Sequence, residues 1–271
     1  MQLEDHLGDI VRKAAQAAGV STAAAAKAAG LRTGEFAALV ESGQSARPLN
    51  IATLAAALGV DARKLDGIAR GWRPPPQDLG RWRELRIITT TRDGNSVNAF
   101  LLWDAASRTA ALFDTGWDAE PVLRIIVAEH LQLQHICITH AHDDHIAALP
   151  SLRQAHPGAL CHAGAQAPRL SARTAVPLQL GGLHITSRET PGHARDGMIY
   201  VVEGWPDDAP PVATIGDTIF AGSVARGFVS WGILKQKIRE CIFTLPAETL
   251  LCPGHGPLTT VAEEQANNPF F

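Results

Sequence analysis

The spacing of apolar and polar positions changes character once along this chain. Before Pro74-Pro75-Pro76 the residues form Ala-rich stretches broken by glycine, the pattern of short helices. It predicts helices over 7–18, 22–29, 33–42, 50–58 and 61–70, with Gly19, Gly30, Gly43, Gly59 and Gly71 near their ends. Ser21 and Asn50 suit N-cap positions, and Asp61 begins the last helix. After the prolines, β-branched and aromatic runs at Leu85–Thr91, Val97–Trp103 and Ala110–Asp114 read as strands, separated by turn residues such as Asp93-Gly94-Asn95. A helix near 118–130, a strand at 135–139 and a helix near 145–155 come next. Strands near 183–189, 198–203 and 212–215, a helix at 231–243 and a strand at 248–252 complete the pattern. Hairpin-joined strands followed by strand–helix alternation predict an α/β layered domain. A run of prolines favours an extended connector. The chain therefore divides into a helical unit over 1–72, a Pro-rich linker over 73–83 and an α/β unit over 84–271, and the first is expected to fold separately.

Composition narrows the classes of function. With 46% apolar and 19% charged residues over 271 positions, wholesale disorder is excluded. A net charge of −3 excludes a polybasic nucleic-acid coat. The acidic start Met1-Gln2-Leu3-Glu4-Asp5-His6 lacks the features of a signal peptide, and no apolar run reaches the roughly 18–20 residues of a membrane span. The expected compartment is the cytoplasm, with no membrane partner. Cys137, Cys161, Cys241 and Cys252 are scattered among apolar neighbours and read as buried, reduced thiols.

Chemistry concentrates in Thr139-His140-Ala141-His142-Asp143-Asp144-His145, directly after the apolar strand His135-Ile136-Cys137-Ile138. In an extended segment, residues two apart point the same way, so His140 and His142 can grip one ion. Asp144 and His145 lie where the chain turns into a helix and can face a second. Three later strand ends or turns add His193 in Thr190-Pro191-Gly192-His193, Asp217 in Ile215-Gly216-Asp217, and His255 in Cys252-Pro253-Gly254-His255. Together these seven donors suit two ions roughly 3.5–4 Å apart with open positions for water. The other histidines (His6, His130, His135, His156, His162, His184) and Trp103, Trp117, Trp205 and Trp231 read as surface or packing residues.

This ordered set resembles the metal site of the metallo-β-lactamase superfamily, over roughly 84–271. Gly216-Asp217-Thr218-Ile219-Phe220-Ala221-Gly222-Ser223, the ending Pro253-Gly254-His255-Gly256-Pro257-Leu258-Thr259-Thr260, and then Glu263-Glu264 and Asn268-Pro269-Phe270 resemble the glyoxalase II (hydroxyacylglutathione hydrolase) branch. They are most like its short bacterial members, which lack the added helical glutathione-binding domain. The resemblance implies an αβ/βα sandwich with a dinuclear centre at one sheet edge. It places His140, His142 and His193 on site one and Asp144, His145 and His255 on site two, with Asp217 bridging. It implies two divalent ions per chain, zinc or else iron or manganese, and a hydroxide between them as nucleophile, with Asp144 and Asp217 as the catalytic carboxylates. The implied substrate is a small thioester.

The sequence departs from the branch at Ala194-Arg195-Asp196-Gly197, at Val224-Ala225-Arg226-Gly227-Phe228, and at Asp143, which places an acid at a variable motif position. The resemblance places these loops against the substrate, where Arg226 is a candidate for a substrate carboxylate. Asp143 is either a proton donor or a partner of a ligand histidine. The same fold could instead serve a lactone, a β-lactam or a phosphodiester, or a single-iron chemistry related to persulfide dioxygenases. Residues 7–70 resemble the Cro/lambda-repressor type of DNA-binding domain, with helix-turn-helix spacing over 22–43. Residues 1–80 carry nine Arg and Lys against eight acids, so phosphate binding has little charge behind it. Two roles are open for the helices: DNA binding by a ligand-sensing regulator, or a retained fold that covers the active site or joins a homodimer.

Overall fold

Several strands are buried along their whole length, which requires both faces of their sheets to be covered. The computed structural model describes residues 2–167, 170, 173–174 and 177–271, the side chains of 173–174 excepted. Strands β1 (Leu85–Arg92), β2 (Asn95–Trp103), β3 (Thr109–Phe113), β4 (Gln132–Cys137), β5 (Leu160–Ala163) and β6 (Arg173–Thr174) form one sheet in that order. The second contains β7 (Leu178–Leu180), β8 (Leu183–Glu189), β9 (Met198–Glu203), β10 (Val212–Gly216), β13 (Leu250–Pro253) and β14 (Thr259–Thr260), ordered β14-β13-β10-β9-β8-β7. A small hairpin, β11 (Ile219–Phe220) with β12 (Ser223–Val224), follows β10. β3, β4 and β5 run parallel, as do β10 and β13.

Alternate side chains divide the core into layers. Phe100, Leu102 and Phe113 of the first sheet meet Ile185, Tyr200, Val202 and Leu250 of the second. On the outer face of the first sheet, Leu101, Leu112 and Ile136 pack with Val122 and Ile126 of α6 (Glu120–Ala128) and Leu152 of α8 (Leu149–Ala155). On the outer face of the second lie Ile199, Val201, Ala213 and Ile215, covered by α9 (Trp231–Lys237) and α10 (Val261–Asn267). The result is the expected αβ/βα sandwich.

The N-terminal helices are α1 (Leu7–Ala18), α2 (Thr22–Ala29), α3 (Thr33–Ser42), α4 (Ile51–Leu58) and α5 (Ala62–Ala69). Ser21 and Asp61 cap α2 and α5 as their sequence suggests, accepting from Ala24 N and Lys64 N. Asn50 holds the N-cap position of α4 but makes no capping hydrogen bond. His6, read as a surface or packing residue, caps α1 by accepting from Asp9 N, while Asp9 accepts from His6 N. The prolines do not mark a boundary in packing. Ile10, Val11, Leu54, Leu65 and Ile68 belong to the same apolar cluster as Ile199, Val201 and Ile215. Asp61 N bonds Pro269 O at 2.8 Å, and Lys64 Nζ reaches the carbonyls of Gln265 and Phe271 at 2.7 Å.

Three expected elements have a different form. The helix read at 145–155 is two, α7 (Asp143–Ile146) and α8, because Pro150 lacks an N–H and suits only the first turn of a new helix. The helix read at 231–243 relaxes after Lys237 into a wider turn over Ile238–Ile242. The strand read at 135–139 spans Gln132–Cys137, freeing Thr139 and the histidines after it for the loop. No helix among the described residues is long and apolar enough to cross a membrane.

Candidate metal centre

The loop from β4 into α7 is held by a residue the motif reading missed. Asp114, at the end of β3, accepts from Thr139 N and from Thr139 Oγ1, both at 2.7 Å, and lies 2.8 Å from His145 Nδ1. Its backbone takes φ 53°, so Asp114-Thr115-Gly116 after an apolar strand was the available signal. Asp196 fixes the same loop, accepting from Ala141 N at 2.9 Å.

The loop brings the expected donors together. His140 Nε2 lies 2.9 Å from His142 Nδ1, and His193 Nε2 lies 3.1 Å from that same atom. Asp217 Oδ2 is 3.4 Å from His255 Nε2 and 3.6 Å from His193 Nε2, while Asp144 Oδ2 is 3.3 Å from His255 Nε2. Three groups have all their donor atoms within 4.8 Å of one another: His140/His142/His193, His140/His145/Asp217 and Asp144/His145/His255. Asp217 thus stands between the two histidine sets.

Three of these rings have their other nitrogen occupied elsewhere, which aims the free one inward. His193 Nδ1 meets Arg226 O at 2.9 Å, His255 Nδ1 meets Ser96 O at 2.6 Å, and His145 Nδ1 meets Asp114. Two glycines make room. A Cβ on Gly254 would fall 2.4 Å from Asp217 Oδ1 and 2.6 Å from His145 Cε1. Gly216 takes φ +46° and sits against Thr139, where a Cβ would fall 2.3 Å from Oγ1.

These residues fit metal ions on a specific observation. His145 Nε2 and Asp217 Oδ1 are buried 3.4 Å apart, yet not aligned to bond each other, and neither has another hydrogen-bond partner among the described residues. Buried polar atoms are rarely left so, and cations would satisfy both. Electrostatics agrees. Burial pushes the His140 and His193 imidazoles down from their ordinary value. At His145 burial is outweighed by Asp114 and Asp217, which hold the ring at about 10. At His255 burial is outweighed first by Asp217, with Asp144 adding to it, which holds the ring at about 11. Burial would raise Asp217, but His255 and His145 draw its carboxyl well below the ordinary range. The carboxylates thus demand positive charge here, and a divalent ion must displace protons to supply it.

A cavity of about 510 Å³ opens onto Asp144, His193, Asp217 and His255. Arg226 lines it with an exposed side chain, and Phe228, 66% exposed, lies 5.4 Å from the His193 ring. Asp143 is exposed and bonds no ligand histidine, so its reading as a partner of one does not hold. Trp103 and Trp205 are buried in the core, and His135 and His162 face each other at 3.1 Å away from the centre. On the face of α3, Arg32 and Arg47 both pair with Glu35.

Residues 92–255 match the family model described as "Metallo-beta-lactamase superfamily", which begins beyond the N-terminal helices. The chain is 34% identical over 167 residues to a hydroxyacylglutathione hydrolase of Fuscovulum blasticum, covering 58% of this chain and 61% of that protein. It is 33% identical over 217 residues to the probable metallo-hydrolase YqgX of Bacillus subtilis (strain 168), covering 70% of this chain and 97% of the relative. The structure of TTHA1623 in a di-iron-bound form superposes with a TM-score of 0.56 at 25% identity, over 68% of this chain and all of that one.

Proposed function

We propose that this chain, which belongs to the metallo-beta-lactamase superfamily, is a dinuclear metal hydrolase of thioesters, of the hydroxyacylglutathione hydrolase kind. The observation that carries the reading is the convergence of His140, His142, Asp144, His145, His193, Asp217 and His255, with His145 Nε2 and Asp217 Oδ1 left buried and unbonded. His140, His142 and His193 would hold one divalent ion, and Asp144, His145 and His255 a second, with Asp217 shared. Zinc, iron and manganese all suit nitrogen and oxygen donors without thiolate. Such ions, when bound, lower the pKa of a water toward roughly 7 and polarise a substrate carbonyl.

The chain's own residues do the rest. Asp114, Arg226 O and Ser96 O orient three of the rings, so the donor set is fixed before any ligand arrives. Phe228 offers an apolar surface beside His193 for an acyl or thioalkyl group. A thioester suits this site because its thiolate, with a parent thiol pKa of about 8.5, leaves without strong acid help. An amide or alkoxide would need a proton donor, and Asp143 is not among the residues lining the cavity. Similarity to the Fuscovulum hydrolase supports the same substrate class.

The test compares kcat/KM of metal-replete protein on an S-2-hydroxyacylglutathione, a lactone, a β-lactam and a phosphodiester, with His142→Ala as control. The thioester should lead. Preference for another substrate by tenfold, about 1.4 kcal/mol in transition-state stabilisation, overturns the substrate class.

A further inference from the structure

The cavity beside the metal-binding residues has a wall that the superfamily match does not reach. Glu4, Asp9 and Arg12, from α1 and the segment before it, line it together with Asp217 and His255. This wall is anchored. The buried Lys13 ammonium pairs with Asp5, donates to Val224 O at 2.8 Å, and lies 5.1 Å from the centroid of the Phe220 ring. Ser223 Oγ donates to Asp5 at 2.5 Å. Gly256, next to His255, lets the backbone of Glu4 approach, since a Cβ there would fall 2.9 Å from Glu4 N.

The charges on this wall are not interchangeable. Asp5 is used by Lys13, and Asp9 accepts from Arg12 Nη2 at 2.5 Å. Asp144 and Asp217 face the metal-binding histidines. Arg226 makes no ion pair among the described residues, and Arg12, its side chain 38% exposed, spends one nitrogen of its fork on Asp9. Glu4, against the His255 loop, would repel an anion at that end of the cleft and leave the arginines to donate to it. Guanidinium groups are the side chains best shaped to hold a carboxylate.

We propose that α1 is a wall of the active-site cleft, and that Arg12 and Arg226 select a substrate whose leaving thiol carries a free carboxylate. This rests on the thioester reading above and adds a recognition role for the N-terminal helices.

The experiment uses the full chain, metal-replete, with an S-2-hydroxyacylglutathione and its diethyl ester as paired substrates. Wild type should prefer the free acid, mainly through KM. Arg12→Ala and Arg226→Ala should each reduce the preference ratio roughly tenfold, the scale of one charge-assisted hydrogen bond, and Arg12→Lys should restore part of it. Calorimetric binding of S-hexylglutathione against its diethyl ester gives a readout independent of hydrolysis and should show the same arginine dependence. Arginine-dependent binding of the acid without thioester cleavage would sustain the wall and sink the thioester reading. Thioester cleavage with equal use of acid and ester, or a ratio unmoved in the thermally intact variants, would overturn the wall.

Discussion

Glu264→Gln should stabilise this protein at alkaline pH and leave it unchanged at acid pH. Glu264 is fully buried in α10, where Oε2 accepts from Gly222 N at 3.0 Å and Asn268 Nδ2 at 2.8 Å, and Oε1 accepts from Thr259 Oγ1 at 2.8 Å. Burial outweighs those three donors and pushes the carboxyl from 4.5 up to about 7. In this window the folded chain keeps a proton that the unfolded chain releases, so stability falls as pH rises through it. The penalty is absent below the unfolded value and complete above about 7, where the gap corresponds to roughly 3 kcal/mol. Glutamine reproduces the protonated form. Its Oε1 can take the Gly222 and Asn268 donors, and its amide can donate to Thr259, whose hydroxyl turns to accept. The assay is urea unfolding of metal-free wild type and variant between about pH 5 and about pH 8, reading only the difference between them so that other titrating groups cancel. The difference should grow by up to roughly 3 kcal/mol in the variant's favour. A difference independent of pH, or a variant less stable than wild type at about pH 8, would refute the reasoning.

Three further outcomes follow from the candidate metal ligands and the shared apolar cluster. Asp217→Ala should lose most of both ions by elemental analysis, whereas His193→Ala should deplete mainly one, because Asp217 lies close to His193, His145 and His255 together. Asp114→Asn should weaken metal affinity roughly 10–100-fold in a competition titration with a chromophoric chelator, since it touches His145 and the Thr139 loop but belongs to none of the metal-binding groups. A chain begun at Asp78 should be insoluble or lack a cooperative unfolding transition: several side chains worth roughly 1.5–3 kcal/mol each would be uncovered, against a total stability of about 5–15 kcal/mol.

How far the sequence could be read depended on whether the cause of a feature was local. The bounds of α2, α3, β8 and β9 follow from cap residues, glycines and β-branched runs inside each segment, and these agree with the structure. The structure brings the seven candidate ligands within reach of one another, and their close spacing at strand-end loops is what made them legible in the sequence. Asp114 and Asp196 were not. Each acts on the histidine loop from a distant part of the chain, and the sequence reads Asp114 as a strand end and Asp196 as part of a substrate-facing loop. Asn50 failed for the complementary reason: a residue type that suits a cap does not fix the backbone needed to make one.

The N-terminal helices mark the limit of periodicity as a guide to domains. An amphipathic face states that it must be buried and says nothing of what buries it. Here Ile10, Leu54, Leu65 and Ile68 belong to one apolar cluster with the residues on the outer face of the second sheet. The prolines then join two segments whose buried side chains belong to one apolar cluster. Burial of the Lys13–Asp5 pair adds specificity to that apolar contact: sliding α1 would strand the pair away from water and from its partners Val224 O and Ser223 Oγ on the β11–β12 hairpin. Apolar packing thus joins the helices to the rest of the core, and the bonds of the buried pair to the β11–β12 hairpin fix which residues of α1 line the cavity beside the candidate ligands.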